Sequence, residues 1–192
     1  RAMKGKATVD AQAQTVSLDF GKPVAPGNYR LAIAYAGVIN QQANGLFALD
    51  YTNNDGQAKR ALFTQFEAPD ARRFVPSWDE PSYKATFDLT AIVPTGELAV
   101  SNMPVKSTAD MGGGKTRVSF GTSPKMSTYL LAFVVGDFAS VEETAPDGTL
   151  VRVWATRGKE QHGRFAVENA VKLLTYLNDY FRISYPLQKL DH

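Results

Sequence analysis

The sequence predicts a mainly β chain: an antiparallel β domain of sandwich or saddle-like form, then one strand and one helix of a different architecture. Three observations carry this. Apolar and polar residues alternate in many short segments, as in strands with one buried face. Turn residues such as Pro26-Gly27-Asn28, Asn53-Asn54-Asp55-Gly56, Pro94-Thr95-Gly96 and Gly112-Gly113-Gly114 punctuate those segments. From His162 to Phe181, by contrast, the apolar spacing takes a helical period.

Taken in order, Val16 to Phe20 alternates and reads as a strand. After the Pro26 turn, Tyr29, Leu31, Ile33 and Tyr35 share a face and predict a second. Leu46 to Tyr51 and Lys59 to Phe66 predict a hairpin, because the Asn-Asn-Asp-Gly between them tolerates the positive φ of a tight turn. Tyr83 to Val93 has the clearest alternation, with Tyr83, Ala85, Phe87, Leu89, Ala91 and Val93 on one side and Ile92 out of pattern. Leu98 to Ser101, Thr116 to Phe120, Tyr129 to Val135 and Leu150 to Ala155 are shorter strands. The triple glycine is a turn, with no helix start behind it to cradle phosphate. In the final helix Ala166, Ala170, Leu173, Leu174, Leu177 and Phe181 form the apolar stripe, and Ile183 to Pro186 ends it.

Composition narrows the function. With 192 residues, 44% hydrophobic, the chain is not disordered, and no apolar run approaches the ~18 residues of a transmembrane segment. A net charge of +2 gives no argument for nucleic acid as a partner. There is no cysteine, and the two histidines are His162 and His192, so a His-rich metal site or a serine-histidine triad is hard to build. No metal ligand and no catalytic residue is assigned within the chain; His162, before a glycine at a helix start, reads as a surface residue. Both ends read as cut: Arg1 has neither an initiator methionine nor a signal-like apolar stretch beside it, and Asp191-His192 closes without a polar tail. The compartment is not set by these features.

Residues 64–87 are the densest in chemistry. Asp70, Arg72, Arg73, Asp79, Glu80 and Lys84 put three acids and three bases within fifteen positions, among Phe74, Trp78 and three prolines. Balanced charge and fixed φ values point to an ion-paired, folded loop in which Phe74 and Trp78 pack. Gln65 and Glu67 are two residues apart, so in a continuing strand both side chains leave one face while Phe66 enters the other. An amide and a carboxylate side by side make an acceptor site for an ammonium group.

Thr64-Gln65-Phe66-Glu67, Asp70-Ala71-Arg72-Arg73 and Pro76-Ser77-Trp78-Asp79-Glu80-Pro81, followed by Lys84-Ala85-Thr86-Phe87, resemble the signature of the zinc aminopeptidases that include aminopeptidase N and puromycin-sensitive aminopeptidase. Ser101-Asn102-Met103-Pro104, Met126 to Leu130 with Gly136-Asp137-Phe138, and Tyr185-Pro186-Leu187 with Lys189-Leu190-Asp191 match in the same order. Ser77 stands where the family commonly has cysteine, and Val75 where it has phenylalanine.

The resemblance implies an N-terminal β domain over residues 1–140, its early strands missing, and the truncated start of a thermolysin-like catalytic domain over 141–192. It implies a peptidase acting on peptides with a free N-terminus, in which Zn2+, held by ligands outside this chain, polarises the scissile carbonyl and lowers the pKa of its water. It implies that Gln65 and Glu67 bind the substrate's α-amino group, that the remaining domains of the same protein are the other partners, and that the chain alone is inactive. Two alternatives stay open: a non-catalytic β module presenting a binding surface, and the epoxide-hydrolysing branch of the family, which usually has glutamine where Glu67 stands.

Overall fold

The computed structural model describes residues 3–192, in two compact units, one reaching Gly37 and the other running from Val38 to His192. The first unit is a hairpin of β1 (Lys6–Asp10) and β2 (Thr15–Asp19), with Val9 opposite Val16. Its turn is held by the Asp10 carboxylate, which accepts the backbone N–H groups of Gln12 and Ala13 at 3.0 and 2.9 Å. The strand expected over Tyr29 to Tyr35 does not form. The alternation is present, but no ladder partner exists among the described residues, and all four side chains of the expected face are exposed. A period of two supplies a face; only a neighbouring strand makes it a sheet.

The second unit holds three sheets. β3 (Gly45–Thr52) and β4 (Ala58–Gln65) form the expected hairpin, in register from Gly45 opposite Gln65 to Thr52 opposite Ala58. β5 (Thr90–Pro94), β6 (Leu98–Ser101), β7 (Val105–Gly112), β8 (Lys115–Phe120) and β9 (Phe133–Gly136) follow. They complete a four-stranded antiparallel sheet ordered β3-β4-β9-β6 and a three-stranded one ordered β5-β8-β7. Val93, Val118 and Phe120 of the second sheet share a core with Ala99, Phe133 and Val135 of the first. Phe120 meets Phe133 edge-on at 6.4 Å, the geometry the ring quadrupoles favour. This is the mainly β, antiparallel architecture that the alternation predicts.

Two strand expectations shorten on inspection. Tyr83 to Val93 is ladder only from Thr90. Before that the chain is extended, pinned by the Ala85–Met126 bridge and by the Ser123 hydroxyl, which takes the Phe87 N–H at 2.9 Å. The inward face survives in part: Phe87, Leu89 and Ala91 are half-buried, Val93 is buried and Ile92 is exposed. Tyr129 to Val135 begins as a helical turn, Thr128–Leu130, before β9.

The last sheet joins β10 (Phe138–Thr144), β11 (Leu150–Thr156) and β12 (Lys189–Asp191); β10 is antiparallel to β11, and β12 runs parallel to it. The helix α1 (Arg164–Phe181) packs on β10 and β11. Parallel strands need a crossover of a dozen residues or more, and α1 supplies it. The expected boundary at residue 140 lies within β10. The buried helix stripe is Val167, Val171 and Leu174, spaced i, i+4, i+7, with Val141, Ala145 and Val151 beneath. Leu173, Leu177 and Phe181, the other part of the apolar stripe, are exposed. Gly163 starts the helix because nothing larger fits: a Cβ there would lie 2.8 Å from a Val153 methyl.

Candidate functional site

β4 ends at Gln65, and the next side chain, Phe66, is 2% exposed against Ala71 and Leu131. Phe74 packs against Phe66 with the rings tilted and their centroids 5.4 Å apart. Gln65 and Glu67 flank this anchor and are both exposed; a cis peptide bond joins Glu67 to Ala68. Chain alternation thus continues two residues past the ladder. The chain then turns, with the Asp70 N–H on the Phe66 carbonyl at 2.9 Å, into the helical turn Ala71–Arg73.

The charged loop beneath is an ion-paired brace. Asp79 is 6% exposed, and its Oδ2 accepts the Arg72 backbone N–H at 2.9 Å and the Arg72 Nε–H at 3.3 Å. Its Oδ1 accepts the Thr128 hydroxyl. Arg72 Nη2 also donates to the Asp79 carbonyl at 2.8 Å and lies 3.6 Å from Glu80. Arg73 pairs with Asp70. A carboxylate is buried here because each oxygen is satisfied, without which desolvation would cost several kcal/mol. Trp78 departs from expectation: it is 74% exposed. Its neighbour Asp79 is the residue turned inward, at 6% exposed.

The separated motif segments meet at this brace. Thr128 reaches Asp79, and the Ser127 hydroxyl donates to the Pro81 carbonyl at 2.6 Å. Asn102 donates to the Leu130 carbonyl and accepts the Ala132 N–H, both at 2.8 Å. Further along, Asp137 takes a bond from Arg157 at 2.9 Å and stands 3.5 Å from Lys59, and the Arg157 guanidinium holds its carboxyl below the ordinary range.

A second charged cluster lies at the C-terminal sheet. Asp191 accepts Nε–H and Nη2–H of Arg152 at 2.7 and 3.2 Å, the indole N–H of Trp154 at 2.9 Å, and Lys189 Nζ. Lys189 also donates to the Ser101 carbonyl. Arg152 lies over the Trp154 ring at 4.9 Å. Burial by itself raises the Asp191 pKa, but the bonds from Arg152, Lys189 and Trp154 outweigh it and hold the carboxyl below its ordinary value. For Lys189 burial wins, and its ammonium is pushed down. The sequence carried one signal: Lys189 and Asp191 are two apart on a strand and so share a face. Arg152 and Trp154 gave none.

His162 sits exposed in the turn Glu160–Gly163 before α1. His192 extends the parallel ladder through backbone bonds to Arg152 and Trp154. Among the described residues no group of three or more His, Cys, Asp or Glu is placed to hold a metal ion, so the residues present do not fit a zinc site. No described helix is long and apolar enough to cross a membrane.

Residues 3–130 match the family model of the peptidase M1 N-terminal domain. Aminopeptidase N of Acetobacter pasteurianus is 47% identical over 189 residues, covering 98% of this chain and 53% of that protein. Aminopeptidase M1 of Arabidopsis thaliana is 41% identical over 186 residues, and puromycin-sensitive aminopeptidase of Caenorhabditis elegans 36% over 183. The chain covers 97% and 95% of itself in these two matches, and spans 21% and 19% of the relatives. It spans about half of the first relative's length.

Proposed function

On the premise that this chain belongs to the peptidase M1 N-terminal domain family, we propose that it is part of a zinc aminopeptidase acting on peptides with a free N-terminus. Within that enzyme, Gln65 and Glu67 bind the substrate's α-amino group. The observation that carries this is the pair itself: both side chains are exposed on either side of the buried Phe66. A desolvated ammonium needs hydrogen-bond acceptors and a compensating negative charge, and an amide oxygen with a carboxylate supplies both. The brace under the pair holds it in position, since a recognition site is only as good as the shell that fixes it. The zinc ligands lie outside these 192 residues, and the catalytic domain begins near residue 140.

Glu67→Ala in the longer protein should lower kcat/KM on aminoacyl substrates tenfold or more, about 1.4 kcal/mol of lost charge pairing. Gln65→Ala should do less, because a neutral acceptor is lost. Unchanged kinetics for Glu67→Ala, in a protein whose melting temperature is also unchanged, would sink the reading.

The same proposal makes the rest of the protein a partner of α1, whose Leu173, Leu177 and Phe181 are exposed. Leu177→Asp should lower the melting temperature of the longer protein by several degrees, as for a charge placed in a packed seam. It should leave the 192-residue chain unaffected. Equal effects in both would count against that partner.

A further inference from the structure

The Lys189–Asp191 cluster forms one end of a cavity of about 330 Å³ between the four-stranded sheet and the C-terminal sheet. Its walls are apolar: Phe63, Val100 and Val134 from one side, Phe138, Tyr185 and Leu187 from the other. Neither Gln65 nor Glu67 lines it. The volume suits about ten non-hydrogen atoms, at the small end of ligand pockets.

Counting donors and acceptors at the polar end shows what is left over. A carboxylate has about four acceptor positions, and Asp191 uses them on two Arg152 N–H groups, Trp154 and Lys189. Its acceptor capacity is full. An ammonium has three donors, and Lys189 uses two, on the Ser101 carbonyl and on Asp191. One N–H remains, on a side chain that is 7% exposed and lines the cavity. Charge gives the same answer: Arg152 and Lys189 face a single carboxylate, leaving one net positive charge where few water dipoles reach it. The His192 side chain, exposed at the rim, adds no negative charge, and the terminal carboxylate it carries in the 192-residue chain is not among the ion-pair partners of Arg152 or Lys189.

We propose that this cavity binds a small amphipathic carboxylate, its apolar body between the two sheets and its carboxylate on Lys189. An ammonium or zwitterion fits less well, because Asp191 has no acceptor position to offer its positive end. A neutral amide of the same shape fills the cavity but leaves the charge uncompensated.

The test is a titration of the 192-residue chain with 3-phenylpropionate, 3-phenylpropionamide and 3-phenylpropylammonium, followed by calorimetry and by amide chemical shifts. The carboxylate should bind at least tenfold more tightly than the amide, with shifts centred on Val100, Val134, Tyr185 and Lys189. The ammonium should be weaker still. Lys189→Met should erase the preference for carboxylate over amide. Val100→Phe, which narrows the cavity without touching the charges, should weaken all the ligands in a chain of unaltered circular dichroism. Equal binding of acid and amide, shifts centred elsewhere, or no saturable binding of the carboxylate would each overturn the proposal.

Discussion

The brace around Asp79 and the cluster around Asp191 are built from the same parts and solve different problems. Each encloses one aspartate, Asp79 buried and Asp191 half-buried, satisfies both its oxygens, and pairs it with an arginine. Around Asp79 the charges pair one to one with Arg72 among the described residues, and Glu80 lies in solvent where water screens it. Around Asp191 two cations share one carboxylate, and the second of them, Lys189, is buried. Removing the central acid should therefore do different damage in the two places. In the brace it takes one carboxylate from an arginine that is partly exposed and keeps Glu80 nearby. In the cluster it leaves two cations facing each other.

Asp191→Ala is accordingly the most destructive change. It should cost about 4 kcal/mol, within the range for breaking a buried pair, and a urea titration of the chain would measure it. It should also flatten part of the acid limb of stability. The folded carboxyl lies below its ordinary value of 3.8, so its contribution is full above that pH and is lost as pH falls through the lower folded value. A loss smaller than that for Asp79→Ala would reverse the comparison.

Asp79→Ala comes second, at about 3 kcal/mol by the same measurement. It strands the Thr128 hydroxyl and the Arg72 backbone N–H, yet Arg72 can turn to Glu80 and to water. Because Asp79 holds the loop beneath Gln65 and Glu67, the same variant in the longer protein should lower kcat/KM as well. A full loss of stability with intact kinetics would separate the brace from the site.

The two regions also differ in how far they could be read from the sequence. The brace was legible because Asp70, Arg72, Arg73, Asp79 and Glu80 lie within one loop, where Arg72 reaches Asp79 over seven residues. Its remaining partner, Thr128, is 49 residues from Asp79, too far for loop composition to pair them. In the C-terminal cluster Arg152 and Asp191 are 39 residues apart, and Lys189 meets Ser101 over 88. The first of these is set by the parallel ladder of β11 with β12, which puts Arg152 opposite Asp191 and which α1 connects; the second reaches across to β6. Local alternation carries no trace of them. The same limit explains Tyr29 to Tyr35 and the exposed half of the helix stripe: periodicity shows that a face is apolar, not what covers it. Gln65 and Glu67 are the reverse case, since alternation about Phe66 needs no distant partner.

Lys189→Met is the smallest and the sharpest way to break the comparison. It removes the unbalanced charge and leaves Arg152 paired to Asp191 one to one, which turns the cluster into a copy of the brace. The methionine keeps most of the apolar stem, and the loss falls on the Ser101 carbonyl, worth about 1 kcal/mol for a hydrogen bond. Relief of the buried charge offsets it, so stability at neutral pH should change by no more than about 1 kcal/mol in either direction. The pH dependence is the discriminating readout. Burial holds the folded Lys189 below its ordinary 10.5, so the unfolded chain binds the extra proton in that window, and wild-type stability rises with pH across it. Tyr185, raised by burial and by Asp191, pulls the other way only above its ordinary 10.0, so the measurement belongs below pH 10. The rise should vanish in Lys189→Met, and Asp191→Ala introduced into that background should cost less than in the wild type, because one cation is stranded in place of two. If the rise persists, the buried charge at that end of the cavity is balanced by some other group, and the asymmetry between the two clusters disappears.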